Sequence, residues 1–250
     1  PEPLIDPRFF RSAPFSGAVV IAICAFAALG GFLLVNTLYL QDVRGYSPLL
    51  AGVYTLPMAA MTAICSPLSG RLVGTRGTRP SLLVAGAGLT AAGLILAHVT
   101  SSTATITLLA SYVLFGLGFG MVNAPITNST VSGMPRSQAG VAAGVASTSR
   151  QVGSSLGVAV IGSATISALH GPFRLDFATA SHAGWWIVTG CGVAIFGLGM
   201  LVSGRWAGQT AHRTASRLVP DSIGQAAADL PPDQAAGGPA ASTISPAAPR

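Results

Sequence analysis

Ser16–Leu40 reads SGAVVIAICAFAALGGFLLVNTLYL, without one acidic, basic or histidine residue. A bilayer core of about 30 Å is crossed by about 20 apolar residues in a helix, and this stretch exceeds that length. In dry hydrocarbon every backbone N–H must find its acceptor within the same segment, so the stretch is a helix and not an open strand. Five more apolar stretches follow, at about 48–70, 81–99, 105–128, 140–169 and 183–205, and none contains Asp or Glu. The chain therefore reads as an all-α membrane protein, with a six-transmembrane-helix bundle over 16–206. Residues 1–15 form a cytoplasmic lead-in. From 207 to 250 the composition turns to Ala, Pro, Gly, Ser and Gln; such a tail buries too little apolar area to order itself and is expected to be disordered.

Composition supports the membrane reading. Half of the residues (50%) are hydrophobic and only 8% are charged, and 31 of 250 are Gly, a residue that lets membrane helices approach closely. The net charge of +6 does not argue for nucleic acid as a partner, because the arginines flank the spans and do not gather on one surface. Cys24, Cys65 and Cys191 each fall inside a span, which predicts small buried hydrophobes and neither a disulfide framework nor a metal site. The chain opens Pro-Glu-Pro, without Met or a signal sequence, and is expected to be a piece of a longer chain or the product of a truncated gene.

Loop charge assigns the sides. Arg8, Arg11, Arg71, Arg76, Arg79, Arg136, Arg205, Arg213 and Arg217 fall on one side of the six spans, and only Arg44 and Arg174 on the other. The positive-inside rule then makes both termini cytoplasmic, in a multi-pass protein of the plasma membrane. Arg71–Pro80 is expected to be an inward loop and His170–His182 an outward one, the latter opened by Gly171-Pro172.

Small residues recur four apart at Gly116/Gly120, Gly140/Gly144, Gly153/Gly157, Ala59/Ala63 and Ser66/Gly70, a spacing that predicts close helix crossings. Gly31-Phe32-x-x-Val35-Asn36 in the first span echoes Gly118-Phe119-x-x-Val122-Asn123 in the fourth. Helices three spans apart would then correspond, as in a 3+3 inverted repeat, with Asn36 near the outer mouth and Asn123 near the inner one.

Catalysis finds no support: there is no H-E-x-x-H, G-x-S-x-G or Walker loop. No catalytic residue, metal ligand or cofactor is assigned, and the chain is not read as an enzyme. Ser163 and His98 come nearest to an intramembrane protease pair, but helix-end roles explain them better. Polar groups inside spans are costly in lipid and should face protein or a wet cavity. Asn36, Tyr39, Tyr54, Asn123, Asn128, Arg150 and Gln151 are of this kind. Pro125, close after Asn123, frees a backbone carbonyl in the fourth helix. Arg150 either snorkels to the inner interface or sits deep in its helix, where it would demand a carboxylate, carbonyl or substrate.

Gly70-Arg71-Leu72-Val73-Gly74-Thr75-Arg76-Gly77-Thr78-Arg79-Pro80 resembles the G-x-L-a-D-r-x-G-r-r motif of the major facilitator superfamily, with Gly74 in place of the usual Asp. Residues 3–11 resemble the lead-in to the ninth helix of its fourteen-helix drug:proton antiporters of the EmrB/QacA type, Gly116–Gly120 with Asn123-Ala124-Pro125 resembles their twelfth helix, and Gly140–Gly144 through Thr148–Gly153 resembles their thirteenth. The resemblance implies the C-terminal half of such a transporter, rocking against an absent N-terminal bundle and exporting small hydrophobic or cationic substrates against protons. Asn36, Tyr54 and Asn123 are then expected in the cavity wall. Gly70, Arg71, Arg76, Gly77 and Arg79 are expected in the gate loop, with Arg150 supporting the inner gate. Membrane lipid and the missing bundle are the expected partners, and a non-transporting six-helix scaffold or regulatory subunit is the alternative.

Overall fold

The computed structural model describes residues 13–131 and 139–202. The lead-in up to residue 12, Arg136 and the tail from 203, with the expectations placed on them, lie outside the described residues. Six helices follow one another: α1 (Ala13–Leu38), α2 (Pro48–Arg76), α3 (Thr78–Leu96), α4 (Thr105–Val131), α5 (Ala139–Ser167) and α6 (Phe173–Val202). No strand occurs among the described residues. Tyr39–Val43 prolongs α1 as a π-helical turn, and Ser47 caps α2 by accepting the Leu50 N–H at 3.3 Å.

Two expected loops are helical. Arg71–Arg76 completes α2 and Thr78 already begins α3, so only Gly77 separates them, with φ +79°. That left-handed backbone favours glycine, and Pro80 is tolerated in the first turn, where helical N–H groups lack partners anyway. Helix α6 begins at Phe173 and not near 183, because a helix need not end where the apolar run does. Asp176 steadies this start by accepting the His170 and Gly171 N–H groups at 2.7 and 3.1 Å.

Among the described residues five helices are long and apolar enough to cross a membrane; α5 is not among them. Ser147, Thr148, Ser149, Arg150, Gln151, Ser154 and Ser155 dilute its hydropathy. Its membership of the bundle rests on packing. A Cβ on Gly153 would stand 2.6 Å from the Ile23 carbonyl oxygen, and one on Gly30 would stand 2.5 Å from that of Ser154. Gly116 and Gly120 of α4 meet Met58, Thr62 and Cys65 of α2 in the same way. The packing expectation fails for Gly140, Gly144 and Gly70, which have open space where a Cβ would go.

The principal pairs are α1 with α5, α2 with α4, and α3 with both α4 and α6, and α1 also packs on α6. Exchanging α1 with α4, α2 with α5 and α3 with α6 returns the same set, which is the 3+3 inverted repeat. The six-residue echo does not share its register. Gly31 faces Ile161 of α5, whereas Gly118 faces Ala85 and Leu89 of α3. The glycines of α4 that face α2, as Gly31 faces α5, are Gly116 and Gly120.

Aromatic rings tie the helices together at the centre. Phe32 of α1 stacks on Phe115 of α4 at 4.3 Å and meets Trp185 of α6 edge-on at 5.8 Å. Polar satisfaction is met at Pro125, which has no N–H to offer the Met121 carbonyl one turn back. The buried hydroxyls of Ser69 in α2 and Ser81 in α3 lie 2.8 and 2.7 Å from that oxygen and 2.7 Å from each other. Three helices meet at one orphaned carbonyl.

Candidate functional site

Side chains at the two ends of the bundle differ in kind. At the end carrying Arg44 and Arg174, side chains seek carbonyls. The Tyr39 hydroxyl donates to Thr100 O at 2.7 Å, Arg44 donates to Thr103 O, and Arg174 Nε donates to Asp42 O at 3.0 Å. His182 Nε2 lies 2.7 Å from Val99 O, and Arg44 rests 5.8 Å over the Tyr39 ring. These contacts pin the α1–α2 connection to the α3–α4 connection and to α6. The half-exposed Tyr54 stacks at 4.9 Å on Tyr46 at this rim.

Asn36 lies one turn deeper, only 2% exposed, and its Oδ1 accepts from the Tyr112 hydroxyl of α4. Its Nδ2 is buried with no partner. A half-satisfied pair costs more than an apolar one when a partner is lost. Tyr112→Phe alone is therefore expected to lower stability by about 1–2 kcal/mol, and Asn36→Leu with Tyr112→Phe by nearly nothing. Thermal unfolding in micelles reads this; an additive double variant would show that the pair is not coupled.

At the opposite end a groove of about 580 Å³ opens between α2 and α4, lined by Gly70, Val73, Gly74, Asn123, Ala124, Thr127 and Asn128. Phe119, Asn123 and Thr127 follow one another at a spacing of four along one face of α4. Asn123 Nδ2 donates to Phe119 O at 3.1 Å, and the Thr127 hydroxyl to Asn123 O at 3.2 Å. Across from Thr127, Arg150 of α5 donates from Nη2 to the Thr127 hydroxyl oxygen at 3.0 Å. Its guanidinium lies 5.9 Å over the Phe26 ring of α1, and Phe26 meets Phe119 edge-on at 5.2 Å. A second groove of about 370 Å³ holds Arg71 and Arg76 beside Leu68, Leu72, Thr75 and Met121. Arg79 is exposed at the start of α3, next to Gly77.

The candidate residues thus fall in three places. Asn36 is inside the bundle, Tyr54 is at one rim, and Asn123 is in the groove at the other end with Gly70. Asn36 and Asn123 do lie toward opposite ends, although the echo that paired them is out of register with the repeat. Sequence reasoning passed over Phe26 and Thr127 as ordinary span residues, and met Phe119 and Val73 only inside the echo and the 70–80 motif. The spacing of Phe119, Asn123 and Thr127 was the available signal for a polar strip on α4. Tyr112, at the depth of Asn36, was the signal for its partner.

A polytopic helix bundle with paired inverted triplets and an open groove at one end defines a transporter-like membrane protein. Residues 1–158 match the Major Facilitator Superfamily, and the chain belongs to that family. It is 37% identical over 162 residues to the multidrug resistance protein Stp of Mycobacterium tuberculosis, covering 65% of this chain and 30% of that protein. It is 40% identical over 165 residues to the tetracenomycin C resistance and export protein of Streptomyces glaucescens, covering 64% and 30%. The quinolone resistance protein NorB of Staphylococcus aureus is 28% identical over 200 residues, covering 78% and 42%. The chain thus spans less than half the length of the curated relatives it matches.

Proposed function

We propose that the chain acts within a proton-coupled exporter of drugs, antibiotics or other hydrophobic small molecules, of the fourteen-helix type, working by alternating access in the plasma membrane with both termini cytoplasmic. The Asn123 groove carries this reading. It is mostly apolar with a few fixed polar groups, within the size range of small-molecule sites, and it opens at the end where Arg71, Arg76 and Arg79 cluster. The relatives named for multidrug resistance, tetracenomycin C export and quinolone resistance support the same class. Greasy cargo would be held there by shape and dispersion, with Asn123 setting orientation, while Gly77 and the three arginines form the gate junction. Tyr54 would serve the opposite mouth, with Asn36 behind it inside the bundle, held by Tyr112.

Energy coupling needs a titratable group in the pathway. Among the described residues the acids are Asp42 and Asp176, both near helix ends on one side, and Arg does not titrate at working pH. The coupling acid is therefore assigned to a second helix bundle. Leu49 (81% exposed), Leu56 (59%) and Ile64 (62%) of α2 offer that bundle, or lipid, an apolar face.

Dye efflux from cells carrying the full gene tests the proposal. Efflux is expected to stop when the proton gradient is collapsed; efflux indifferent to the gradient refutes proton coupling, and none above vector refutes export. Asn123→Ala is expected to change the relative export of two dyes by a few fold while surface expression holds. An equal fall in expression and export would make Asn123 structural.

A further inference from the structure

We propose that Arg150 is an oxyanion-recognition site beside the Asn123 groove, which takes the carboxylate of an amphipathic small molecule. This deepens the export reading of the same groove and rests on it. Arg150 lies eleven residues into α5, about 17 Å from its start at 1.5 Å per residue, and is half-buried. No described residue of the helical cores is acidic, so among the described residues no carboxylate lies at the depth of this cation. A charge so placed is costly unless paired.

The surroundings orient the guanidinium without neutralising it. The Thr127 hydroxyl commits its single proton to Asn123 O and accepts from Arg150 Nη2. The Phe26 ring takes one face of the cation, a favourable contact that leaves its charge intact. Nε is buried and has no partner. A guanidinium carries five N–H donors in a planar fork that matches a carboxylate or phosphate. Thr127 belongs both to the groove wall and to the Arg150 contact, so one molecule can lay its apolar body along Asn123 and its anionic head on the fork. The same charge disfavours a cationic head at this point.

The test is fluorescence titration of the full chain in phosphatidylcholine nanodiscs with a dansyl-tagged fatty acid and with its methyl ester, against empty discs. The acid is expected to bind about tenfold or more tighter than the ester, as a charge-assisted pair would give. Arg150→Gln should weaken the acid alone, down to the level of the ester, and Arg150→Lys should keep part of the preference. Equal binding of acid and ester to the unaltered chain overturns the proposal, as does an equal loss of both in Arg150→Gln with Arg150→Lys unaffected. The preference of the unaltered chain needs no variant, so a misfolded substitution does not spoil the test. Adding phosphatidylglycerol separates the sources. Competition that requires Arg150 places a lipid phosphate on the fork, and absence of competition reserves the fork for the carboxylate. The assay reads binding alone, so a failed preference, which leaves the export reading standing, is distinguishable from failed efflux.

Discussion

Replacing Gly157 by leucine is expected to abolish the native packing of α5 on α1. A Cβ at this position would lie 2.6 Å from the Ala27 Cα and carbonyl carbon, and backbone atoms on a neighbouring helix cannot rotate away. The helices must separate, which forfeits the dispersion contacts that hold membrane helices together. Helix α5 is the one helix not apolar enough to cross by length and composition, so it depends on that packing more than the others. The cost is expected to be about 3 kcal/mol or more. Gly144→Leu on the same helix meets nothing within 4 Å and is expected to change stability by less than about 0.5 kcal/mol. Thermal unfolding followed by fluorescence-detected size exclusion measures both. Similar losses in the two variants would mean that helicity lost or gained on α5, and not its approach to α1, governs stability.

The second large effect is expected at the carbonyl orphaned by Pro125. Ser69→Ala or Ser81→Ala alone leaves one hydroxyl on Met121 O and should cost well under 1 kcal/mol. The double variant leaves a buried carbonyl unpaired and should cost about 1–3 kcal/mol, more than the singles combined. Restoring an N–H by Pro125→Ala in the double variant should recover much of that loss, because the backbone bond of α4 can then form. Simple additivity, or no rescue by Pro125→Ala, would show that the serines act through packing. The knot also joins Ser69, just before Gly70, to Ser81, just after Pro80, so it brackets the arginine-rich junction. Loosening it is expected to disturb the groove end before the Asn36–Tyr112 end.

Much of the architecture was legible before any coordinates. Spans long enough to cross, free of acids and flanked by arginine admit few solutions in lipid other than a helix bundle. Family motifs at 70–80 and 116–125 pointed to the superfamily. Chain pattern alone misjudged the short connections, because Arg71–Arg76 and Phe173–His182 are too polar for hydrocarbon yet free to continue a helix in the interface. It also treated all glycine pairs alike, although Gly153 and Gly157 face another helix and Gly140 and Gly144 face open space.

Hydrophobic length and the cost of unpaired backbone in a bilayer, both properties of local sequence, determined that the spans are helices, while the ends of α2, α3 and α6 and the place of α5 rest on more than apolar length. Only the tertiary structure decided which polar groups meet. Asn36 found Tyr112, Met121 O found two serines from other helices, and Arg150 came to lie between Thr127 and Phe26. Those partners are separated by 23 to 124 residues in the chain, and the phase of each helix against its neighbours, which sets such meetings, is fixed by packing across the whole bundle.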